Sequence, residues 1–366
     1  MNVLHLVEYL NLGGIERLLE QIAANSYSDR TTQHFFTYET TELLGIGKTM
    51  KDSGYSVMTY KKKAGRDWQL VSHLIQTIKV NKIDVIHTHD FGPMEYAVIL
   101  KMRFPKLKLI HTQHTLTHFL THKKYKYFFA LASYFYNRII AVSDFVKDSI
   151  IESCPNVKKS VLKVIPNGVD TGRFIPQTFI EDETNSSNSE KLKLVTIARI
   201  SPVKNLEYLL NTCRLLSEAN IPYEFHHAGT AKEKSIEDVY TKYIVENNLE
   251  KNVTMHGFTN DATQVLSKGE IFLSSSKSEG HPVALLEAMA SEKYCIVSDI
   301  APHKETAHGA LEFYDIKNPS ALFEILKNIY QSKPDLKSQA EKSRQVVRSN
   351  YSLSKMVQSY TEQYYE

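Results

Sequence analysis

Glu279 and Glu287 bracket the run Ser278-Glu279-Gly280-His281-Pro282-Val283-Ala284-Leu285-Leu286-Glu287-Ala288-Met289-Ala290. Pro282 suits the first turn of a helix, so the run predicts a Gly-His-Pro turn opening a helix that carries Glu287 within an apolar stretch. A carboxylate in such a setting is costly unless it is paired or hydrogen-bonded. A basic partner or a pair of ligand hydroxyls would satisfy it. The amides of Val283 and Ala284, which have no partner inside a helix, are placed to hold a phosphate. A second run, Ala198-Arg199-Ile200-Ser201-Pro202-Val203-Lys204-Asn205, sets two cations on a loop between a strand and a helix. Arg offers a planar fork to phosphate oxygens and Lys a point charge; two solvated surface charges are the plainer reading.

Histidines form a third group, in His87-Thr88-His89 and His111-Thr112-Gln113-His114. Each segment falls at the expected C-terminal end of a strand, where open α/β folds place functional residues. Imidazole is a common metal ligand, but no acidic or Cys partner stands at zinc-site spacing. The set therefore reads as a polar cleft lining, and any single member as a histidine satisfied by backbone. In the fourth group, Leu12-Gly13-Gly14-Ile15-Glu16-Arg17, the glycines allow a tight turn and close approach of a ligand to the amides. It is not the G-x-G-x-x-G dinucleotide fingerprint, and an ordinary strand-to-helix turn would use the same residues.

Short β-branched runs alternate with amphipathic ones. Strands are expected at Val3–Val7, His34–Tyr38, Tyr55–Tyr60, Asp84–His87, Leu107–His111, Arg138–Val142 and Val161–Ile165. A second series follows at Leu192–Ile197, Tyr223–His227, Val253–His256, Ile271–Ser274, Tyr294–Val297 and Leu311–Phe313. Helices are expected near Ile15–Ala24, Asn205–Ala219, Ser235–Asn247, Pro282–Ala290, Ser320–Gln331 and Leu353–Tyr365. Such alternation predicts parallel sheets covered by helices. Residues 176–191 are polar and aperiodic, as an exposed connector would be. The expected division is a first domain over 1–170, a linker over 171–191, a second domain over 192–350 and a terminal helix over 351–366. Two such halves would set their strand C-terminal ends across a cleft.

The 366 residues are enough for two domains. The three cysteines, Cys154, Cys213 and Cys295, are widely spaced, which argues against a disulfide scaffold or cysteine zinc site and favours the cytoplasm. The opening residues carry no basic n-region or cleavage site, and no apolar run reaches the ~20 residues of a membrane span. Residues 1–175 hold 23 basic and 15 acidic side chains, so the first half is positive while the whole chain carries +3. The stretch His118-Phe119-Leu120-Thr121-His122-Lys123-Lys124-Tyr125-Lys126-Tyr127-Phe128-Phe129 interleaves basic and aromatic residues. Lys123, Lys124 and Lys126 could meet an anionic membrane surface; an amphipathic core helix with solvated lysines fits the same pattern.

Together these motifs resemble the glycosyltransferases of family 4, retaining enzymes with two facing Rossmann-like domains (the GT-B fold, α/β) and a C-terminal helix that crosses back to the first domain. Glu279-x7-Glu287 with its closing Glu-Ala-Met-Ala is the most diagnostic part. Val164-Ile165-Pro166-Asn167-Gly168-Val169-Asp170-Thr171, ending at Phe174, Ile140-Ala141-Val142-Ser143 and Asp84-Val85-Ile86-His87-Thr88-His89 also match. The resemblance implies that His114 faces the donor sugar, Arg199 and Lys204 grip the diphosphate, Glu279 contacts the transferred sugar and Glu287 binds ribose hydroxyls. Gly13 and Gly14 would lie beside the phosphate and acceptor, and Gly280, His281, Pro282, Val283 and Ala284 along the donor. It further implies no divalent metal or other cofactor, and the sequence contains no Asp-x-Asp pair. The implied partners are a nucleotide-diphosphate sugar, UDP-linked for preference, and a hydroxyl of a glycan or lipid-linked acceptor in bacterial surface polysaccharide or glycolipid synthesis, with no nucleic acid. The basic and aromatic residues of the 118–129 stretch, with the cysteine usage, give the expectation of a cytoplasmic protein that docks on the inner face of the membrane. Two departures stand out. Ala228-Gly229-Thr230-Ala231 lacks a second glycine, and Asp299-Ile300-Ala301-Pro302-His303 replaces a Gly-Gly pair in the manner of some mannosyltransferases. A GDP-mannose-dependent enzyme of the same fold and a non-catalytic nucleotide-sugar-binding subunit are the alternatives. A nicotinamide dehydrogenase lacks its glycine fingerprint.

Overall fold

The computed structural model describes residues 1–11, 13–25, 31–115, 122–176, 191–231 and 233–366. The connector residues 177–190, Leu12 and the segment 116–121, with its His118, Phe119, Leu120 and Thr121, lie outside them. The chain forms two compact units, residues 1–168 with 353–366, and residues 169–352.

The first unit runs β1 (Asn2–Val7), α1 (Gly14–Asn25), β2 (Thr32–Thr37), α2 (Gly45–Asp52), β3 (Ser56–Thr59), α3 (Trp68–Val80), β4 (Val85–His89), α4 (Phe91–Arg103), β5 (Lys108–Gln113), α5 (Lys123–Ala132), β6 (Arg138–Ala141), α6 (Asp144–Ser153) and β7 (Leu162–Val164). Its strands form one parallel sheet in the order β3-β2-β1-β4-β5-β6-β7. β4 and β5 are buried almost throughout, as expected of central parallel strands covered on both faces. Caps set several helix starts: Asp67 accepts from the amides of Gln69 and Leu70 at α3, and Ser143 Oγ from Val146 at α6. One face of the sheet packs on α3, α4 and α5 through residues such as Leu70, Leu74, Leu100 and Phe129.

The second unit runs β8 (Leu192–Ile197), α7 (Leu206–Glu218), β9 (Tyr223–Ala228), α8 (Lys234–Glu246), β10 (Val253–Met255), α9 (Ala262–Leu266), β11 (Ile271–Ser274), α10 (Val283–Ala290), β12 (Tyr294–Ser298), α11 (Ala301–Ala307), β13 (Glu312–Tyr314), α12 (Ala321–Ser332) and α13 (Leu336–Asn350). Its parallel sheet has the order β10-β9-β8-β11-β12-β13. Helix α13 has no counterpart among the expected elements. Its buried face is Ala340, Ser343 and Val347, too small and polar to show as an apolar stripe.

The last helix, α14 (Leu353–Tyr365), belongs to the first unit. Leu353, Met356, Val357, Tyr360 and Tyr364 join Leu18 and Ile22 of α1 against Val3, Val85, Ile110 and Ile140. This is the face of the sheet opposite α3 and α4.

In each sheet the strand order reverses direction at one place, between β1 and β4 in the first and between β8 and β11 in the second. Connections leaving such a switch point diverge, and the gap beyond the strand ends accommodates ligands. The glycine turn follows β1 and the first histidine pair closes β4; the Arg-Lys loop follows β8 and the Glu279 segment follows β11.

Candidate active site

At the second unit's switch point, Lys204 and Glu279 form an ion pair across 75 residues of sequence, and Ser276 Oγ donates to the same carboxylate at 2.7 Å. Ser275 ties the loop down by donating to the carbonyls of Lys204 and Asn205, both at 2.9 Å. Asn205 takes a left-handed φ of 55° where α7 begins. Burial pushes the Glu279 carboxyl up, but the Lys204 charge and the hydrogen bonds from Lys204 and Ser276 outweigh it, so Glu279 stays below the usual carboxylate range. Lys204, Glu279, Thr196, Ser274 and Pro282 line one small cavity. Arg199 is exposed, and among the described residues it forms no ion pair.

Pro282 ends the Gly-His-Pro turn, and α10 begins at Val283 without a side-chain cap. The amides of Val283 and Ala284 therefore lie outside the helix's own pattern of bonds. Gly280 and His281 are buried, and the His281 ring lies 5.0 Å from that of Tyr351. Burial lowers the His281 pKa to about 3. Glu287 sits inside α10 and is buried, as the apolar sequence around it implied. The sequence did not single out Ser276, and it named His303 only within the Asp299-to-His303 departure. Buried His303 reaches Ser298 O with Nδ1 at 2.8 Å and Ser274 Oγ with Nε2 at 3.5 Å. Gly229 needs its glycine: φ is 136°, and a Cβ there would collide with the Ala198 carbonyl.

At the first unit's switch point, Gly14 does not take a positive φ. A side chain at Gly13 would strike the Glu16 carboxylate, whereas Gly14 faces open space. The histidines are deeper than a cleft lining: His87, His89, His111 and His114 are all buried. His114 donates its amide to Asp90 Oδ1 at 3.1 Å. The sequence weighed Asp90 only as a neighbour of the histidine pair in a metal site, not as a partner of His114. The Asp90 φ of 58° with ψ −179° is a conformation other residues leave to glycine, a local strain of about 1–3 kcal/mol. Burial, with Glu16 and Glu8 nearby, pushes its carboxyl up to about 7 despite the His114 and Thr115 amides. The local sequence at the start of α4, Asp90-Phe91-Gly92-Pro93, gives no sign of that φ.

On α5, Lys123 and Lys124 are exposed and Lys126 half-buried. Phe129 is in the core, as the plainer reading required, while Tyr127, Leu131 and Tyr134 stand exposed at 70, 64 and 62%.

Residues 12–173 match the family described as Glycosyltransferase Family 4, and residues 178–346 that described as Glycosyl transferases group 1. The Escherichia coli UDP-Gal:alpha-D-GlcNAc-diphosphoundecaprenol alpha-1,3-galactosyltransferase is 25% identical over 243 residues, 64% of this chain; the aligned part is 62% of that enzyme's length, less than two thirds. The putative glycosyltransferase EpsF of Bacillus subtilis is 23% identical over 325 residues, 83% of this chain and 81% of EpsF. Among solved structures, Anabaena Alr3699/HepE in complex with UDP-glucose superposes with a TM-score of 0.83 at 18% identity, covering 99% of this chain and 98% of that one. That likeness establishes the GT-B fold.

Proposed function

The chain belongs to the family 4 glycosyltransferases, and from that premise we propose that it moves a hexose or N-acetylhexosamine from a nucleotide-diphosphate sugar to an acceptor hydroxyl with retention at the anomeric carbon. The observation that carries this reading is the cluster at the second switch point: Lys204 on Glu279, an uncommitted Arg199, and the open first turn of α10 with Glu287 buried behind it. Leaving-group charge is the main electrostatic demand, and donors already in place meet it best. Arg199, Lys204 and the amides of Val283 and Ala284 take the diphosphate, so no divalent ion is needed. Glu287 binds the ribose hydroxyls, Glu279 with Gly280 and His281 the sugar, and His114 a sugar hydroxyl, with Gly13 and Gly14 beside the phosphate. The acceptor attacks from the side the diphosphate leaves, and a departing phosphate oxygen takes its proton.

UDP is the favoured carrier, since Alr3699/HepE was solved with UDP and with UDP-glucose and the E. coli relative is named for UDP-Gal. GDP-mannose is the second reading, favoured by His303 in the Asp299-to-His303 segment beside Ser274 and Ser298. Incubation with UDP-glucose, UDP-galactose, UDP-N-acetylglucosamine and GDP-mannose should release nucleotide from one of them. Glu287→Ala should weaken binding of the free nucleoside diphosphate, and Glu279→Ala should spare that binding while lowering release. Nucleotide binding with no release from any donor would instead make the chain a binding subunit.

The acceptor is a glycan or lipid-linked intermediate of surface polysaccharide synthesis, by likeness to the E. coli relative named for a diphosphoundecaprenol acceptor. Among the described residues no helix is long and apolar enough to cross a membrane. The chain works in the cytoplasm and docks on the inner leaflet through α5, whose Lys123, Lys124 and Lys126 lie beside exposed Tyr127 and Leu131. At about 1 kcal/mol per Lys near an anionic surface, changing all three to Glu should reduce vesicle sedimentation by roughly a hundredfold or more. Binding should also rise with anionic lipid and fall with salt. Equal recovery in the supernatant with neutral and anionic vesicles would point to a soluble acceptor.

A further inference from the structure

Four side chains on one face of the first sheet are joined in a row across neighbouring strands. Gln33 Oε1 on β2 meets His5 Nε2 on β1 at 3.1 Å. His5 Nδ1 meets His89 Nε2 at the end of β4 at 3.0 Å, and His89 Nδ1 meets His114 Nε2, just past β5, at 3.1 Å. The register produces the row: His5 stands opposite Phe35 and His87, and His89 opposite Thr112. Residues two apart on a strand share a face, so Gln33, His5, His89 and His114 follow one another on the same side. All three rings are buried.

A neutral imidazole carries one ring proton, so it donates at one nitrogen and accepts at the other. Rings joined nitrogen to nitrogen cannot choose tautomers independently; the end of the row chooses for all. Burial keeps these rings neutral, lowering His5 and His114 to about 3 and His89 well below its ordinary value. Gln33 Oε1 only accepts, so His5 Nε2 carries the proton. His5 Nδ1 then accepts from His89 Nε2–H, and His89 Nδ1 from His114 Nε2–H. His114 Nδ1 is left with a lone pair and, among the described residues, no bond.

We propose that Gln33 and His5 are positioning residues that, acting through His89, hold His114 in its Nε2–H tautomer so that Nδ1 accepts a hydrogen bond from a hydroxyl of the donor sugar. The last clause rests on the reading that His114 contacts that sugar. His87 lies against the row, 4.2 Å from His89 between ring centroids, but is outside it, bonded to Tyr364 OH at 2.9 Å and Thr112 Oγ1 at 2.8 Å. His5, His87 and His89 bring one ring nitrogen each within 4.8 Å of the others, as a metal site would. Each of those rings already uses both nitrogens on protein partners, so the row orders protons.

The test is a two-bond proton–nitrogen correlation spectrum of the full chain carrying nitrogen-15 histidine, with and without Gln33→Met. The wild type should show His5, His89 and His114 protonated at Nε2. Gln33→Met, at a half-buried site, removes the acceptor, and His89 and His114 should then populate the reversed tautomer. Turnover should fall about tenfold, roughly what one neutral hydrogen bond supplies, with affinity for the free nucleoside diphosphate unchanged. His114 protonated at Nδ1 in the wild type, tautomers indifferent to Gln33→Met, or a metal-bound signature at His5 and His89 would overturn the proposal. The spectrum needs no donor. Tautomers that shift in Gln33→Met while turnover does not would uphold the row and remove His114 from the sugar.

Discussion

Between pH 7 and pH 5 the first unit should lose most of its stability. His5, His87, His89, His111 and His114 are buried, and burial holds every one of their pKa values far below 6.5: about 3 for His5 and His114, about 4 for His111, and well below for His87 and His89. In the unfolded chain each titrates near about 6.5. Above that pH both states are neutral there and nothing is lost. Below it the unfolded chain binds a proton that the native row refuses, so stability falls with pH until about 3–4. Asp90 works the other way: with its carboxyl raised to about 7, the native state holds a proton the unfolded chain gives up between about 4 and 7. The net difference grows from under one proton at pH 7 to roughly four at pH 5, where the slope reaches about 5 kcal/mol per pH unit. One domain has only ~5–15 kcal/mol in total. The sole tryptophan, Trp68 on α3, reports this unit alone. Its fluorescence in denaturant titrations at pH 8, 7, 6 and 5 should show the midpoint falling steeply below pH 6.5. A midpoint unchanged from pH 7 to 5 would mean that the rings take up protons in the folded state.

The same histidines explain what local sequence could and could not convey. The apolar half of β4 was legible, since Asp84-Val85-Ile86 reads as a buried strand. The strand continues to His89 because its polar residues find partners on other strands, His5 of β1 and Thr112 and His114 at β5. A window of local pattern does not contain those partners, so the strand looked finished at His87 and the histidines looked like a lining. Helix α13 was hidden because Ala340, Ser343 and Val347 form a contact face without bulk. In the second unit the residue types and spacing of Glu279, Glu287, Arg199 and Lys204 were legible. Their pairing was not, since Lys204 and Glu279 meet only once β8 and β11 lie side by side. The strain at Asp90 is a backbone property, and no residue type announced it.

That pairing makes the two cations unequal, and their replacement should show it. Removing either from a desolvated diphosphate should cost about 2–5 kcal/mol in donor binding and turnover together. Arg199 is exposed and outside the ion pairs, so Arg199→Ala should lose activity with no change in melting temperature. Lys204 answers a carboxylate whose side chain is only 12% exposed. Lys204→Ala leaves Glu279 with the Ser276 hydrogen bond and the lesser influence of His303, burial then prevails, and the carboxyl rises toward protonation. Taking one partner from a buried pair destabilises by about 3–5 kcal/mol, so this variant should lose both activity and melting temperature. Adding Glu279→Ala should restore part of the stability without restoring transfer, with a coupling of about 1–3 kcal/mol in a double-mutant cycle. Nucleotide release and thermal unfolding measure the two quantities separately. Turnover should also persist in EDTA, because the cations take the leaving charge. Near-normal turnover in Arg199→Ala, with activity lost in EDTA and restored by a divalent ion, would assign that charge to a metal and leave Lys204 as the structural partner of Glu279.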